Sequence, residues 1–147
     1  MAVTIRAMTT ADVPAVSTLF REYEQWLDAK QCFADFNAEM ADLAGAYAVI
    51  LVAEHDGKVD GAVALKDLGN GTAEMKRLYC REALRGHGAG EALARALVAA
   101  ARERKSRTIV LDTLPRLSAA IGLYNKLGFL TETSTPTNVR MSLRLAA

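Results

Sequence analysis

Apolar residues recur at helical spacing from Val13 to Leu27, where Val13, Val16, Leu19, Phe20, Tyr23 and Leu27 fall on one stripe. Such a stripe predicts an amphipathic helix packed on a sheet. Thr9, Thr10 and Asp12 supply capping residues ahead of it, and Pro14 is tolerated in the first turn. Val3 to Met8 reads as a short strand before this helix. Phe33 to about Leu43 predicts a second helix, rich in alanine and acid, with Gly45 marking its end. The periodicity then changes. Tyr47 to Glu54 is a continuous apolar run rich in Val, Ile and Leu, which predicts a central strand. His55-Asp56-Gly57-Lys58 reads as a hairpin turn and Val59 to Leu65 as the returning strand. Leu68-Gly69-Asn70-Gly71 is the next turn, and Ala73 to Cys80 a third strand. Together the three predict an antiparallel meander.

Past Cys80, helices and strands alternate. Leu93, Leu97, Val98 and Ala101 form the apolar stripe of a helix from Glu91 to about Lys105, whose C-terminal end is basic from Arg102 to Arg107. Thr108 to Thr113 predicts a strand parallel to the Glu74 strand, because a helix crosses between them. Pro115 ends it. Ala119, Ala120, Leu123, Tyr124 and Leu127 then mark a helix that stops at Gly128, and Leu130 to Ser134 pairs with Asn138 to Leu145 as an antiparallel closure. The predicted fold class is α/β with a mixed, mostly antiparallel sheet, in one domain over residues 1–147.

Composition narrows the function classes. At 147 residues, 51% hydrophobic and 24% charged, the chain has enough apolar matter for one sizeable core. A net charge of +1 supplies no field to recruit nucleic acid or an anionic membrane. Lys76-Arg77, Arg81 and Arg102 to Arg107 read as solvated strand and helix ends. No segment approaches a membrane span and the N-terminus has no leader pattern, so a cytoplasmic location is expected. Cys32 and Cys80 have no metal-like spacing with His55 or His87, so neither a disulfide framework nor a metal site is expected. Cys80 lacks the neighbouring histidine that would activate it, and strand packing is its default role.

The chemistry concentrates in Arg85-Gly86-His87-Gly88-Ala89-Gly90, a glycine-rich turn between a strand and a helix. Glycines allow close backbone approach and positive φ, the first helical turn presents free N–H groups, and the helix dipole and Arg85 add positive charge. A diphosphate is the natural guest. The turn is not the Gly-x-Gly-x-x-Gly dinucleotide fingerprint, and no Lys-Ser/Thr follows it as in a Walker A loop.

Arg-x-x-Gly-x-Gly resembles the pyrophosphate loop of the GNAT superfamily, the acetyl-CoA-dependent N-acetyltransferases. Upstream, Glu74-Met-Lys-Arg-Leu-Tyr-Cys80 resembles that family's bulged fourth strand. Downstream, Ser118 to Phe129, ending Tyr-Asn-Lys-Leu-Gly-Phe, resembles its second signature. The resemblance covers about residues 48 to 130. It implies a sheet flanked by helices on both faces, with the parallel pair splayed and a bulge near Leu78-Tyr79 that frees backbone groups. Acetyl-CoA is the implied cofactor. Its pantetheine arm would pair with the main chain of Leu78, Tyr79 and Cys80, and its diphosphate would lie on Arg85, Gly86, His87, Gly88, Ala89 and Gly90. Asn125 is also assigned to the cofactor. His87 adds a side-chain contact or simply faces solvent.

Acetyl transfer to an amine needs a neutral amine, donors for the tetrahedral oxyanion and a proton for the departing thiolate. The resemblance implies Tyr124 as the general acid, although its helical spacing alone describes a core tyrosine. Glu74 is the candidate base, against a plain cross-strand ion pair. A backbone N–H near Leu78 or Tyr79 is the implied oxyanion donor. The acceptor side carries Tyr23, Trp26, Phe33 and Phe36 with Glu22, Glu24, Asp28, Asp35 and Glu39, either plain solvated helix faces or an acidic, aromatic-edged groove that suits a cationic amine: a small amine, an amino acid, or a protein N-terminus or lysine. The assembly state is open, a homodimer included. Two other readings stand beside this one: a non-catalytic acyl-CoA-binding regulatory module of the same fold, and a nucleotide-binding protein of another fold.

Overall fold

A computed structural model describes residues 2–27 and 36–145. Its elements are β1 (Thr4–Ala7), α1 (Val13–Leu27), α2 (Phe36–Ala41), α3 (Leu43–Ala46), β2 (Val49–His55), β3 (Lys58–Gly69) and β4 (Thr72–Cys80). They are followed by α4 (Ala89–Glu103), β5 (Thr108–Thr113), α5 (Ser118–Lys126), β6 (Leu130–Ser134) and β7 (Val139–Arg144). The seven strands make one sheet in the order β1-β2-β3-β4-β5-β7-β6. All neighbours are antiparallel except β4 and β5.

The expected meander is β2-β3-β4. Its two tight turns put Asp56 and Gly57, and Asn70 and Gly71, at positive φ, which matches the right-handed twist of the flanking strands. β6 and β7 form the expected closing pair, with β7 as the inner strand against β5. All five residues of β6 are exposed.

Helices cover both faces. On one, Leu93, Leu97 and Ala101 of α4 pack with Leu65, Ile109, Leu111 and Met141 of the sheet. On the other, Val16, Leu19 and Phe20 of α1 pack with Phe36, Leu43, Ile50 and Val52. The α1 stripe is thus the one that periodicity predicts. Ahead of α1, the Asp12 carboxylate accepts from the Thr9 N–H at 2.7 Å and from Arg6 Nη1 at 2.7 Å. Among the described residues no helix is long and apolar enough to cross a membrane.

Three expected boundaries move. β3 runs on to Gly69, past the expected end at Leu65, so that the turn is Asn70-Gly71 alone. The second helix breaks at Asp42, which leaves helical geometry at φ −151° and caps α3 by accepting from the Gly45 N–H at 3.0 Å. Gly45 therefore lies inside α3, where a Cβ would meet the Asp42 carboxylate at 2.2 Å, and not at a helix end. Residues 33–35, which the expected helix included, lie outside the described residues. The helix after the glycine turn starts at Ala89, two positions before the expected Glu91, because Gly88 serves as its N-cap.

Candidate active site

The parallel pairing of β4 and β5 covers only Thr72–Glu74 against Thr108–Val110. Beyond that point β4 continues to Cys80 and β5 to Thr113 without pairing to each other. A cavity of about 430 Å³ occupies the opening, lined among others by Glu74, Lys76, Leu78, Leu111, Thr113 and Tyr124.

A bulge in the β3–β4 ladder lies three residues beyond the last β4–β5 rung. Ala64 pairs with Lys76 and Ala62 with Tyr79, so Val63 of β3 faces both Arg77 and Leu78 of β4. Arg77 takes φ +61°, a left-handed conformation that a long side chain adopts at a cost of about 1–2 kcal/mol. It is held there by burial and by partners. Its Nη2 donates to Glu39 Oε1 at 2.6 Å, its Nε donates to the Tyr47 hydroxyl at 3.3 Å, and its guanidinium lies 5.5 Å from the Phe36 ring centroid. Lys76 at 3.3 Å and Lys66 at 3.7 Å also reach the Glu39 carboxylate. Burial alone would raise the Glu39 pKa, but the Arg77 hydrogen bond and the Arg77 and Lys76 charges more than offset it, so the carboxyl sits below its ordinary value. Burial pushes the Tyr47 phenol up to about 12, against the pull of Arg77.

Two sequence readings are corrected here. The bulge falls on Arg77-Leu78, one residue before the expected Leu78-Tyr79, and Arg77 is a buried anchor and not a solvated strand end. Glu39, expected on the acceptor side, and Tyr47, expected only as the start of a strand run, are the buried partners of Arg77. The signal for Glu39 was available, because Phe36, Glu39, Met40 and Leu43 follow an i, i+3, i+4, i+7 stripe. A carboxylate on an apolar stripe calls for a buried cation.

The glycine turn follows β4 through a short 3₁₀ turn, Glu82–Leu84, pinned by the buried Leu84. Arg85 to Gly88 are exposed, with Gly86 at φ +81° and Gly88 at φ +74°. Both conformations favour glycine. A Cβ at Gly86, Gly88 or Gly90 would meet no atom within 4 Å, so the space over the first turn of α4 is open. No side chain caps that turn. Its one acid, Glu91, is drawn away by Lys126 Nζ at 2.8 Å and Arg95 Nε at 2.8 Å. The buried Ala89 can offer only its backbone, and the exposed His87 faces solvent, the plainer of its two readings.

Tyr124 is buried and lines the cavity, its ring edge-on to Phe129 at 5.8 Å. Burial, and secondarily the Tyr23 phenol, holds its hydroxyl above the ordinary phenol value, so it stays protonated at neutral pH. Glu74 lines the same cavity and has no ion pair or hydrogen-bond partner among the described residues, so it is not the cross-strand pair with Lys66 that its register would permit. Leu78 also faces the cavity. Tyr79 turns to the α1 face, with its ring 5.6 Å from Tyr23 and 6.5 Å from Trp26. Cys80 turns to the α4 face, against Gly61. Burial, countered in part by Arg85, pushes its thiol up to about 11, which leaves it un-ionised. Asn125 is exposed on α5 and does not line the cavity, so its side chain is not brought to the other site residues.

Residues 13–129 match the model of the Acetyltransferase (GNAT) family. The chain belongs to the GNAT family. This GNAT protein is 32% identical over 126 residues to an uncharacterised N-acetyltransferase of Schizosaccharomyces pombe, an alignment that covers 82% of this chain and 77% of the relative. Its fold superposes on a GNAT-family acetyltransferase from Staphylococcus aureus with a TM-score of 0.81 at 15% identity, covering 99% of this chain and 100% of the other. The PaiA N-acetyltransferase of Thermoplasma acidophilum, solved in complex with coenzyme A, gives a TM-score of 0.81 at 19% identity, covering 99% and 100%. The chain is an acyltransferase of this family.

In this GNAT chain the wall beside the cavity differs from the acidic groove that the sequence suggested. Glu22 is taken by Arg81, whose Nη2 lies 2.6 Å from it and whose Nη1 lies 2.9 Å from Asp60. Glu39 is taken by Arg77. Phe36 is buried in the α1-side core. Tyr23 lines the cavity and Trp26, half exposed, stacks on it at 6.2 Å. Arg116, between β5 and α5, donates to the Leu27 carbonyl at the C-terminal end of α1, where its charge suits the dipole. Asp28, Phe33 and Asp35 lie outside the described residues.

Proposed function

We propose that this chain, acting as one domain over residues 1–147, moves the acetyl group of acetyl-CoA to a primary amine by direct attack within a ternary complex. The observation that carries the reading is the stretch of β4 beyond Glu74 that no longer pairs with β5, which opens beside the uncapped, sterically empty first turn of α4. Those features fit the group. Backbone amides of Leu78, Tyr79 and Cys80 would take the pantetheine arm as a pseudo-strand. The N–H groups from Gly86 to Gly90, with Arg85, would take the diphosphate. Acetyl-CoA supplies an activated acetyl thioester when bound.

This chain's own residues would do the rest. Glu74, free and facing the cavity, accepts the proton that the attacking amine must lose. The N–H of Leu78, which the bulge takes out of register with β3, or of its neighbour Tyr79 donates to the oxyanion. The Tyr124 hydroxyl, kept protonated by burial, donates to the departing sulfur.

Calorimetric titration with acetyl-CoA, followed by thiol release over a panel of amines, tests the reading. Gly88→Glu places a carboxylate at the N-cap and should weaken acetyl-CoA binding by more than about tenfold. Unaltered affinity in that variant would remove the loop assignment. Binding without thiol release from any amine would point to a non-catalytic acyl-CoA sensor, and stabilisation by ATP or NAD but not CoA to a nucleotide-binding protein.

A further inference from the structure

Among the described residues, the charges on the α2-facing side of the cavity do not balance. Glu39 is one carboxylate, and three cations converge on it: Arg77 at 2.6 Å, Lys76 at 3.3 Å and Lys66 at 3.7 Å. Arg77 is the nearest and the most buried of the three, so it takes most of the available charge. Among the described residues Lys66 and Lys76 have no other ion-pair partner. Glu74 is the Cα partner of Lys66 and stands two residues before Lys76, on the same face of β4. Yet its carboxylate makes no ion pair among the described residues. The cavity wall therefore presents a free carboxylate and, one strand position along, surplus positive charge.

A plain amine answers only half of this wall. Its ammonium form would be drawn to Glu74, and the excess on Lys76 and Lys66 would stay uncompensated. A molecule with a carboxylate one carbon from its amine answers both halves. Two residues along a strand advance about 6.6 Å, and an amino nitrogen and a carboxylate oxygen about 3 Å apart span that gap with one hydrogen bond at each end. We propose that the acceptor is an α-amino acid, its carboxylate held by Lys76 with support from Lys66 and its amine presented to Glu74. The remaining lining includes Tyr23, Leu27 and Leu117, an apolar surface for the side chain of such an acceptor. The inference rests on the acetyltransferase reading above. The amine nitrogen bonds the acetyl carbon, the carbon–sulfur bond breaks, Glu74 takes the amine's proton and Tyr124 gives one to the thiolate. The carboxylate takes no part in the chemistry, and its role is to orient the amine.

The experiment compares each L-amino acid with its own amide, which keeps the amine and the side chain but removes the negative charge. Acetyl-CoA is the donor and acetyl-CoA binding is measured in parallel. For at least one pair the acid should exceed the amide in kcat/KM by about tenfold or more. Lys76→Met should bring that ratio close to one by raising KM for the acid, and Lys76→Arg should keep the preference. Amides or simple amines used as well as every acid would overturn the inference and leave the acetyltransferase reading standing. So would a preference that survives in Lys76→Met, or bound acetyl-CoA with no transfer to any amino acid. Failure to bind acetyl-CoA at all would sink the acetyltransferase reading itself, and this inference with it.

Discussion

Replacing Glu39 with Gln tests whether a buried ion pair holds the bulge. The substitution keeps the shape and one acceptor oxygen for Arg77 but removes the charge. The guanidinium, 6% exposed, then loses the carboxylate charge 2.6 Å away, and Lys76 and Lys66 repel it. Removing one partner of a buried pair costs about 3–5 kcal/mol, and the surviving Gln hydrogen bond argues for the lower end. At about 3 kcal/mol, a chain of this length should lose roughly 12 °C in Tm. Urea unfolding should show the same loss in midpoint with an unchanged slope. Arg77→Gly in the Glu39→Gln background gives the sign that decides. It removes the buried guanidinium and the left-handed strain of about 1–2 kcal/mol together, so the double variant should be more stable than Glu39→Gln alone. A Tm loss under about 3 °C in the single variant would mean that the pair contributes no more than an exposed one, and the anchoring argument would be wrong.

Three further outcomes follow from the same geometry. Tyr124→Phe should lower kcat by about a hundredfold while acetyl-CoA affinity, read by calorimetry, stays within about twofold; an unchanged kcat would return Tyr124 to the core. Stability should fall on the acid side. Glu22 (through Arg81), and Glu39 and Asp60 (in which ionic and hydrogen-bond partners overcome burial) titrate below their ordinary values when folded. The unfolded chain therefore takes up those protons first, so the stabilisation is complete above roughly pH 4.5 and is lost as pH drops below that, with a shallower slope in Glu39→Gln. A pH-independent Tm between about 6 and 3 would contradict it. Cys80, with its thiol near 11, is ionised in roughly one molecule in three thousand at pH 7.5, so iodoacetamide should label it only after unfolding. Labelling of the native chain at the rate of a free thiol would refute the burial argument.

The strands and helices were legible because their periods are clean. The α1 stripe, the β2-β3-β4 meander and the crossover that makes β4 and β5 parallel all follow from local pattern and connection rules. The glycine turn was legible as chemistry, since few other uses explain three glycines at a helix start. What local pattern could not show was which charges meet. Arg77 and Lys76 look like a solvated strand end until Glu39, thirty-eight positions from Arg77, is seen beneath them. Glu22 looks free for a substrate until Arg81, at a separation of fifty-nine, is seen to hold it. Pairings between elements distant in sequence leave no periodic trace, and the bulge shifts by one residue because the buried pair decides where it falls. Tyr124 shows the converse, where one position serves as both core and cavity wall.

The three rungs that join β4 to β5 have a mechanical consequence. Among the described strands they are the only ladder that joins the four-stranded half of the sheet to the three-stranded half, since β5 pairs only with β4 and β7. With so short a seam, the angle between the halves is governed by whatever fills the gap above it. A ligand whose amides supply the absent rungs would act as a temporary eighth strand, so ligand-dependent slowing of amide exchange should centre on residues 75–80 and 111–113, far more than on the outer strands.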